Sequence, residues 1–531
     1  MTTVPGRMSP HAATANPQVR SWILIIAFSV FVAVLNVATD GNVLAVIAFF
    51  FAIPFIIFSV LRPRTSFYAL LFLTLALEQF AAPYSWTYKA HLPYHLNLNN
   101  ISPALKGLSI TPLEIHLLCI IIGVIWNHWG KKEPWVPFLV HKPMYLYAGS
   151  IVFFIVYGVV YRGGDFFPAM WETRPIFYLF ALIVIVPQII INEEQIRKII
   201  WVVIAGIGVR AIELTSHYVG AGYTVLGRGW GSHEDALFQA TLLILLAILM
   251  ILRAEAPMQR NVLIALIIPC VLAMVAGNRR TAYPMLGASL TVIVFMMSGE
   301  FQRKMLKYAW KAAIVFALYL AVFWNSRSDS PFIAPVRSLR EGFAGDDRAE
   351  AGDDSYSSNL YRKVENFNLY RMINAQPILG NGYGVLVDYS MPLPVTWDLG
   401  FYIPHNQLLS VLAKTGIVGF CIFSFFYLSV IGEIARAFQK VYNNRYLQAV
   451  LTLAAAGVVG HLGWSFFDLV ITYYRTNIYL GTMIGVSASI LAIEARREKE
   501  MNAERQEPVV GAQRQPVFGL LKKHAEEEVA A

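Results

Sequence analysis

Residues 236–252 read ALFQATLLILLAILMIL, a largely apolar run that includes the polar residues Gln239 and Thr241 but no charged side chain. Such a run is typical of a membrane-spanning helix, because about 20 apolar residues cross roughly 30 Å of hydrocarbon. Thirteen similar blocks lie near 22–39, 42–61, 66–82, 110–128, 143–160, 175–192, 199–217, 262–277, 282–298, 310–325, 405–431, 447–467 and 473–493. They lack the alternation of transmembrane strands. We therefore predict an all-α polytopic membrane protein with about 12–14 transmembrane helices.

The composition excludes a chain of soluble domains. Of the 531 residues, 57% are hydrophobic and 14% charged, whereas soluble proteins carry about 25% charged residues. The net charge of +9 is interpreted as loops facing anionic lipid, so a bilayer and no nucleic acid is the expected partner. Cys119, Cys270 and Cys421 all lie in apolar runs, which argues against a disulfide framework or a zinc site.

Orientation is predicted from the Lys and Arg residues of the short connections. With a cytoplasmic N-terminus, the inside connections hold eighteen and the outside ones eight. Both termini are therefore predicted to be cytoplasmic. The first apolar block is interpreted as a retained helix, because a second span follows at once without a convincing cleavage site.

The spans divide the chain into four parts. Residues 1–325 form an N-terminal bundle of about 11 spans, 326–404 a long external loop, 405–493 the C-terminal spans, and 494–531 a cytoplasmic tail. The long loop is expected either to carry a lid or active-site element or to cap the bundle.

Within that loop, residues 359–376 show helical spacing. The predicted apolar face consists of Leu360, Val364, Phe367, Tyr370 and Ile373. Pro377 should end the helix, and the glycines that follow should form a tight turn. These glycines are Gly380, Gly382 and Gly384.

Several familiar signatures are absent from the sequence. There is no Walker A motif, and the pair His233-Glu234 has Leu237 where a zinc protease needs a second histidine. No Asp-x-Asp pair is placed to hold a metal-bound nucleotide. We expect no cofactor and no metal.

Two arginines, Arg279 and Arg280, lie between apolar runs at a predicted outer interface. Positive charge there opposes the orientation rule, which suggests that something outside requires it. The alternative is a structural pair whose side chains extend towards water.

The strongest local pattern is HNQLLSVLAKTGIVG at 405–419. Because Pro404 precedes it, His405 is predicted to lie in the first turn of a membrane helix, where an imidazole can act as a general base. Gly416 and Gly419 should allow a neighbouring helix to approach closely. A hydrogen-bonded interfacial histidine is the alternative.

This pattern resembles the O-antigen ligase and Wzy-type polysaccharide polymerase superfamily. The family signature is His, then Asn, Ser or Gln, nine residues, Gly, two residues, and Gly, Thr or Tyr. His405, Asn406, Gly416 and Gly419 match every position. The stretch QPILGNG at 376–382 is similar to a family turn.

Two arginines extend the resemblance. Arg362 stands about where the family places a loop arginine, and Arg280-Thr281 resembles the family's Ser-Arg-Gly. Arg279 replaces the serine, and Arg371 is a rival to Arg362.

The resemblance implies an enzyme of the bacterial inner membrane. Such enzymes move a glycan from undecaprenyl diphosphate to an acceptor glycan or glycolipid on the periplasmic face, without a cofactor. By this comparison His405 is the catalytic base and Arg280 and Arg362 hold the diphosphate, with Arg279 and Arg371 as substitutes. Further substrate-binding candidates are Asn406, Arg174 and Arg228.

Secondary candidates at outer helix ends are Glu172, His233, Glu234 and Asp235. Glu78 and Arg210 are predicted inside spans, either as a buried pair or as pathway residues.

Two other classes of function compete with this one. A transporter of lipid-linked sugars should show related halves, which the sequence lacks. A non-catalytic subunit could dock polysaccharide synthesis or export proteins through the tail. Ligase and polymerase share the signature and stay unresolved.

Overall fold

The computed structural model describes isolated residues between 26 and 33, then 43–78, 94–101, 109–132, 134–223, 230–277, 282–296, 299–326, single residues at 333, 336 and 340, 354–393 and 400–506. Helices dominate these parts, and none of the described residues forms a strand. The first predicted span, 22–39, and the end of the tail lie largely outside the described residues.

The α-helices of the described chain are, in order, α1 Val43–Leu61, α2 Pro63–Ala76, α3 Leu98–Ile101, α4 Pro112–Lys131, α5 His141–Val156, α6 Phe166–Ile189, α7 Glu193–Gly220, α8 Asp235–Ile251, α9 Pro257–Ala265, α10 Ile267–Ala276, α11 Ala282–Met296, α12 Gly299–Phe323, α13 Asp354–Ala375, α14 Gln407–Lys440, α15 Arg445–Trp464 and α16 Tyr474–Gln506. A π-helical turn, Tyr157–Tyr161, extends α5, and a 3-10 turn, Val470–Thr472, precedes α16.

Seven helices are long and apolar enough to cross a membrane in the described part of the chain: α4, α5 with its π-helical end, α6, α7, α14, α15 and α16. The pair α9 and α10 is bent by 43° and would make an eighth. Four shorter apolar helices accompany them. The all-α polytopic membrane fold is confirmed, and the predicted number of 12–14 spans stays a prediction.

Helices α6 and α16 pack along each other through small residues. A Cβ atom added to Gly481 would lie 2.7 Å from the Leu179 carbonyl oxygen, and one added to Gly485 would lie 2.7 Å from Val186 Cβ. This close approach of the two backbones holds α16 in the interior, where 78% of its apolar window is buried.

One end of the bundle gathers several chain segments. At this end α15 finishes and α14 begins, and the Gln407 amide donates to the Ser465 carbonyl at 2.9 Å. The Tyr402 hydroxyl also donates to Asp165, just before α6, at 3.0 Å. The segment that enters α14 therefore lies across this end, which we call the site end.

Helix α13 forms where the spacing predicts a helix, but it buries a different face. Among the residues of the predicted face, Phe367 and Tyr370 are exposed while Val364 is buried. The buried face instead includes the polar residues Glu365 and Asn368. The predicted face was wrong by about one position, because the helix turns Leu369 and Met372 inwards, where they pack with Val387 and Ala413.

Candidate active site

His405 lies just before α14 and not in its first turn. The helix begins at Gln407, and the Asn406 side chain caps it by accepting a hydrogen bond from the Leu409 amide at 3.2 Å. Asparagine is among the strongest N-cap residues, so the cap and not the proline sets the helix start. The predicted position of His405 was therefore wrong, because His405 immediately precedes the N-cap residue Asn406.

A buried carboxylate holds His405 from two sides. Glu365 Oε2 accepts from the His405 backbone amide at 2.8 Å, and Oε1 lies 3.3 Å from Nδ1 of the ring. The Tyr361 ring meets the imidazole edge-on, with centroids 5.1 Å apart. Since the Glu365 side chain is fully buried and that of His405 is 21% exposed, the imidazole is oriented but accessible.

Arg362 joins this group, whereas its rival Arg371 does not. Arg362 precedes Glu365 by three residues on α13, so both lie on one face of the helix. Arg371 lies further along, is 45% exposed, and pairs with Asp388 at 3.9 Å. The fold thus places only one of the two near His405.

A second carboxylate, Asp468, completes the group from the loop after α15. Its Oδ2 lies 2.6 Å from His233 Nδ1, while Oδ1 accepts from the Tyr473 hydroxyl at 3.2 Å. Burial acts to raise the pKa of Asp468, but His233, His405 and Arg362 together hold it well below its usual range. The carboxylate is therefore ionised.

We call these side chains the site cluster: His233, Arg362, Glu365, His405 and Asp468. Sequence reasoning named His405 and Arg362 and treated His233 as secondary, but it missed Glu365 and Asp468. Glu365 had a signal, because it follows Arg362 at helical spacing. Asp468 had none.

The glycine turn after α13, residues 380–384, packs against α14 where the helix is broken at Gly416. Gly416 has φ 60° and ψ −170°, a conformation that only glycine adopts readily. Across the break, the Ile417 amide donates to the Pro377 carbonyl at 2.8 Å and the Gly382 amide to the Lys414 carbonyl at 2.7 Å. The two family-like motifs are therefore one structural unit.

The signature glycines are needed for close approach, though not as predicted in every case. A Cβ added to Gly416 would lie 2.2 Å from the Ile378 carbonyl oxygen, so its neighbour is the turn and not a helix. One added to Gly419 would lie 2.2 Å from Thr415 Cβ of the same helix and 2.7 Å from the Phe154 ring of α5, so the neighbouring helix does approach there. The prediction was wrong for Gly416 and holds for Gly419.

Other contacts hold the turn against α5 and α6. A Cβ added to Gly382 would lie 2.2 Å from Gly158 Cα. The buried Lys414 donates to Glu172 at 2.8 Å and to the Val385 carbonyl at 2.5 Å. Glu172 therefore has a structural partner, and its place is beneath the turn.

Arg174, a predicted substrate-binding residue, is engaged in an ion pair with Glu114. It also donates to the Ser109 carbonyl at 2.8 Å. Its contacts join α4 to α6 and do not include the site cluster.

A separate group of charges lies deeper in the bundle. We call it the buried network: Glu78, Arg210, Glu213, Glu234, Asp235 and Arg475. Every one of these side chains is at most 2% exposed. Glu78 and Arg210 do form a buried ion pair, as one of the two sequence interpretations held.

Three predicted arginines, Arg228, Arg279 and Arg280, lie outside the described residues. Among the described residues, the Trp230 amide donates to the Ala276 carbonyl at 3.0 Å. Among the residues that the structure does describe, no three His, Cys, Asp or Glu side chains form a group that could hold a metal ion. Metal independence stays a prediction.

Comparison with known proteins agrees with the resemblance. Residues 236–424 match the family model of the O-antigen ligase, which confirms the predicted resemblance over that part of the chain. The match includes Arg362, Glu365 and His405 and ends before Asp468. No curated protein matches the chain. The family supports a membrane ligase or polymerase of polysaccharide synthesis.

Proposed function

We propose, from the O-antigen ligase family that residues 236–424 match, that this protein is a membrane glycosyltransferase. It moves a glycan from undecaprenyl diphosphate to an acceptor sugar on the periplasmic face of the inner membrane. The observation that carries the proposal is His405, held by Glu365 beside Arg362 and Asp468 at one end of a membrane bundle. Both termini are cytoplasmic in this proposal, and the four parts of the chain keep their predicted roles.

The reaction is a direct displacement at the anomeric carbon. Nε2 of His405 removes the proton from the acceptor hydroxyl, whose oxygen attacks the anomeric carbon. The bond from that carbon to the diphosphate oxygen breaks, and the diphosphate leaves with the electron pair. Attack opposite the leaving group inverts the configuration.

Glu365 fits the role of a group that orients the base. A carboxylate that accepts a hydrogen bond from Nδ1–H leaves Nε2 to take the proton, and it stabilises the imidazolium that forms. From sequence, only neighbouring arginines were considered around His405. The Glu365 carboxylate adds the orientation of His405 that arginines cannot supply.

Arginines stabilise the departing diphosphate. A guanidinium donates two parallel hydrogen bonds to phosphate oxygens, which suits a leaving group that carries negative charge. We assign Arg362 and Arg280 to this role, with Arg279 as the substitute for Arg280. Ligase and polymerase differ in the acceptor, which this proposal leaves as a sugar hydroxyl.

The test is a transfer assay with purified full-length protein in lipid nanodiscs, with a metal chelator present throughout. His405→Ala should lower the rate about 10²- to 10⁴-fold, the usual contribution of a general base. Arg362→Ala should lose activity, whereas the matched variant Arg371→Ala should keep it.

Two results would overturn the proposal. One is full activity in His405→Ala, and the other is glycan transfer without release of undecaprenyl diphosphate. Loss of activity in Arg371→Ala alone would remove Arg362 from the diphosphate site.

A further inference from the structure

The site cluster contains a second histidine that the proposed reaction does not use. His233 lies in the segment before α8, and its Nδ1 is 2.6 Å from Asp468 Oδ2. The His233 side chain is 30% exposed, whereas that of Asp468 is 2% exposed. A buried carboxylate therefore holds an imidazole that solvent and substrate can reach.

The Asp468 carboxylate is also held by contacts other than the one with His233. Its other oxygen, Oδ1, accepts from the Leu469 amide at 2.8 Å and from the Tyr473 hydroxyl at 3.2 Å. The His233 ring also lies beside the Tyr473 ring, with centroids 6.3 Å apart. The ring is thus set with Nδ1 towards the carboxylate and Nε2 on the opposite side.

The charges around His233 favour its cationic form. Asp468 is ionised, and the Arg362 guanidinium is among the groups that lower its pKa. Glu234, the next residue in the chain, faces Arg475 at 3.2 Å and belongs to the buried network. Because coupling between two ionisable groups is reciprocal, a carboxylate favoured by an imidazolium also favours that imidazolium.

The two histidines of the site cluster differ in their contacts. Nδ1 of His405 lies 3.3 Å from Glu365 Oε1, whereas Nδ1 of His233 lies 2.6 Å from Asp468 Oδ2. Short contacts of this kind are typical of charge-assisted hydrogen bonds. One ring suits proton removal and the other suits the binding of an anion.

We propose that His233, held as an imidazolium by Asp468, binds the diphosphate of the lipid-linked donor together with Arg362. This inference rests on the proposed function, since it assigns a further residue to the same substrate. In it, His405 serves the acceptor hydroxyl while His233 and Arg362 serve the leaving group.

The experiment measures binding of undecaprenyl diphosphate and of undecaprenyl monophosphate to the full-length protein. His233→Gln should weaken diphosphate binding roughly tenfold to a hundredfold, the size of a lost charge-assisted hydrogen bond. It should weaken monophosphate binding less. His233→Arg should recover most of the affinity, because it restores the cation.

A matched control is His217→Gln, which removes an imidazole stacked on Trp230 at the end of α7. It should leave diphosphate binding unchanged. As a test that needs no glutamine variant, wild-type affinity should fall as the pH rises from about 6 to about 9, whereas that of His233→Arg should not.

Equal loss in His233→Gln and His233→Arg would overturn the inference, because it would indicate a structural role. Unchanged affinity in His233→Gln would also overturn it. If the wild type transfers glycan and His233→Gln binds the diphosphate normally, only this inference fails. If the wild type binds no undecaprenyl diphosphate, the proposed function fails with it.

Discussion

The site cluster and the buried network are joined in the chain, because His233 belongs to the first and Glu234 to the second. They differ in the solvent exposure of their side chains and in the balance of positive and negative charge. The site cluster pairs buried carboxylates with partly exposed cations and imidazoles. In the buried network both partners of every ion pair are enclosed. Exposure of the basic partner is what lets one group of charges meet a substrate.

Charge balance in the buried network supports a structural role. Two arginines face four carboxyl groups, an excess of negative charge that burial makes costly. Burial raises the pKa of Glu234 to about 8, despite the opposing effect of Arg475. This shift favours the protonated form of Glu234, which lowers the excess.

The largest expected difference in stability comes from replacing one arginine by methionine in the buried network and one in the site cluster. Arg210→Met leaves several buried carboxyl groups without a partner and should lower the free energy of unfolding by about 3–5 kcal/mol. Arg362→Met should lower it by less than about 1 kcal/mol, because Arg362 is partly exposed. Denaturant unfolding of the purified protein measures both, and equal losses would contradict the distinction.

The second prediction concerns Asp468 of the site cluster, whose contribution to stability should depend on pH. Asp468→Asn should cost about 1.5–3 kcal/mol at neutral pH, because a charge-assisted hydrogen bond to His233 is lost. Since the pKa of Asp468 is lowered in the folded protein, its stabilisation is present above the unfolded pKa of about 3.9 and is lost as the pH falls below it.

Thermal unfolding of wild type and Asp468→Asn over pH measures this effect. The difference between them should shrink below about pH 4. Asp388→Asn is the control, since its side chain is 74% exposed and should give no comparable difference. A difference that persists unchanged into acid would show that Asp468 acts by packing alone.

The smallest effect concerns Glu365, which is as buried as the carboxylates of the network but faces an exposed imidazole. Glu365→Gln should lower kcat about tenfold, or about 1.4 kcal/mol, with little change in the donor KM, because it disturbs only the orientation of His405. The comparison variant Glu213→Gln should lower stability while the folded fraction keeps its kcat. A normal kcat in Glu365→Gln together with a lowered kcat in Glu213→Gln would contradict the roles assigned to the two glutamates.

Much of the fold was predictable because membrane insertion depends on local sequence. The gain from burying each apolar residue accumulates along a segment, so a block such as 447–467, which forms most of the long apolar helix α15, can be recognised without its neighbours. The predicted end of α13 before Pro377 was also correct, since proline acts on the adjacent residues. The start of α14 was misplaced because two local signals, Pro404 and Asn406, competed.

The site was only partly predictable. Sequence alone determined the membrane class, the α-helical fold and the family signature around His405. Only the tertiary structure brought Glu365 to His405 from 40 positions away and Asp468 to His233 from 235 positions away. The physical reason is that apolar periodicity reports what each segment buries, whereas an ion pair or an oriented imidazole depends on which distant segments the packing places side by side.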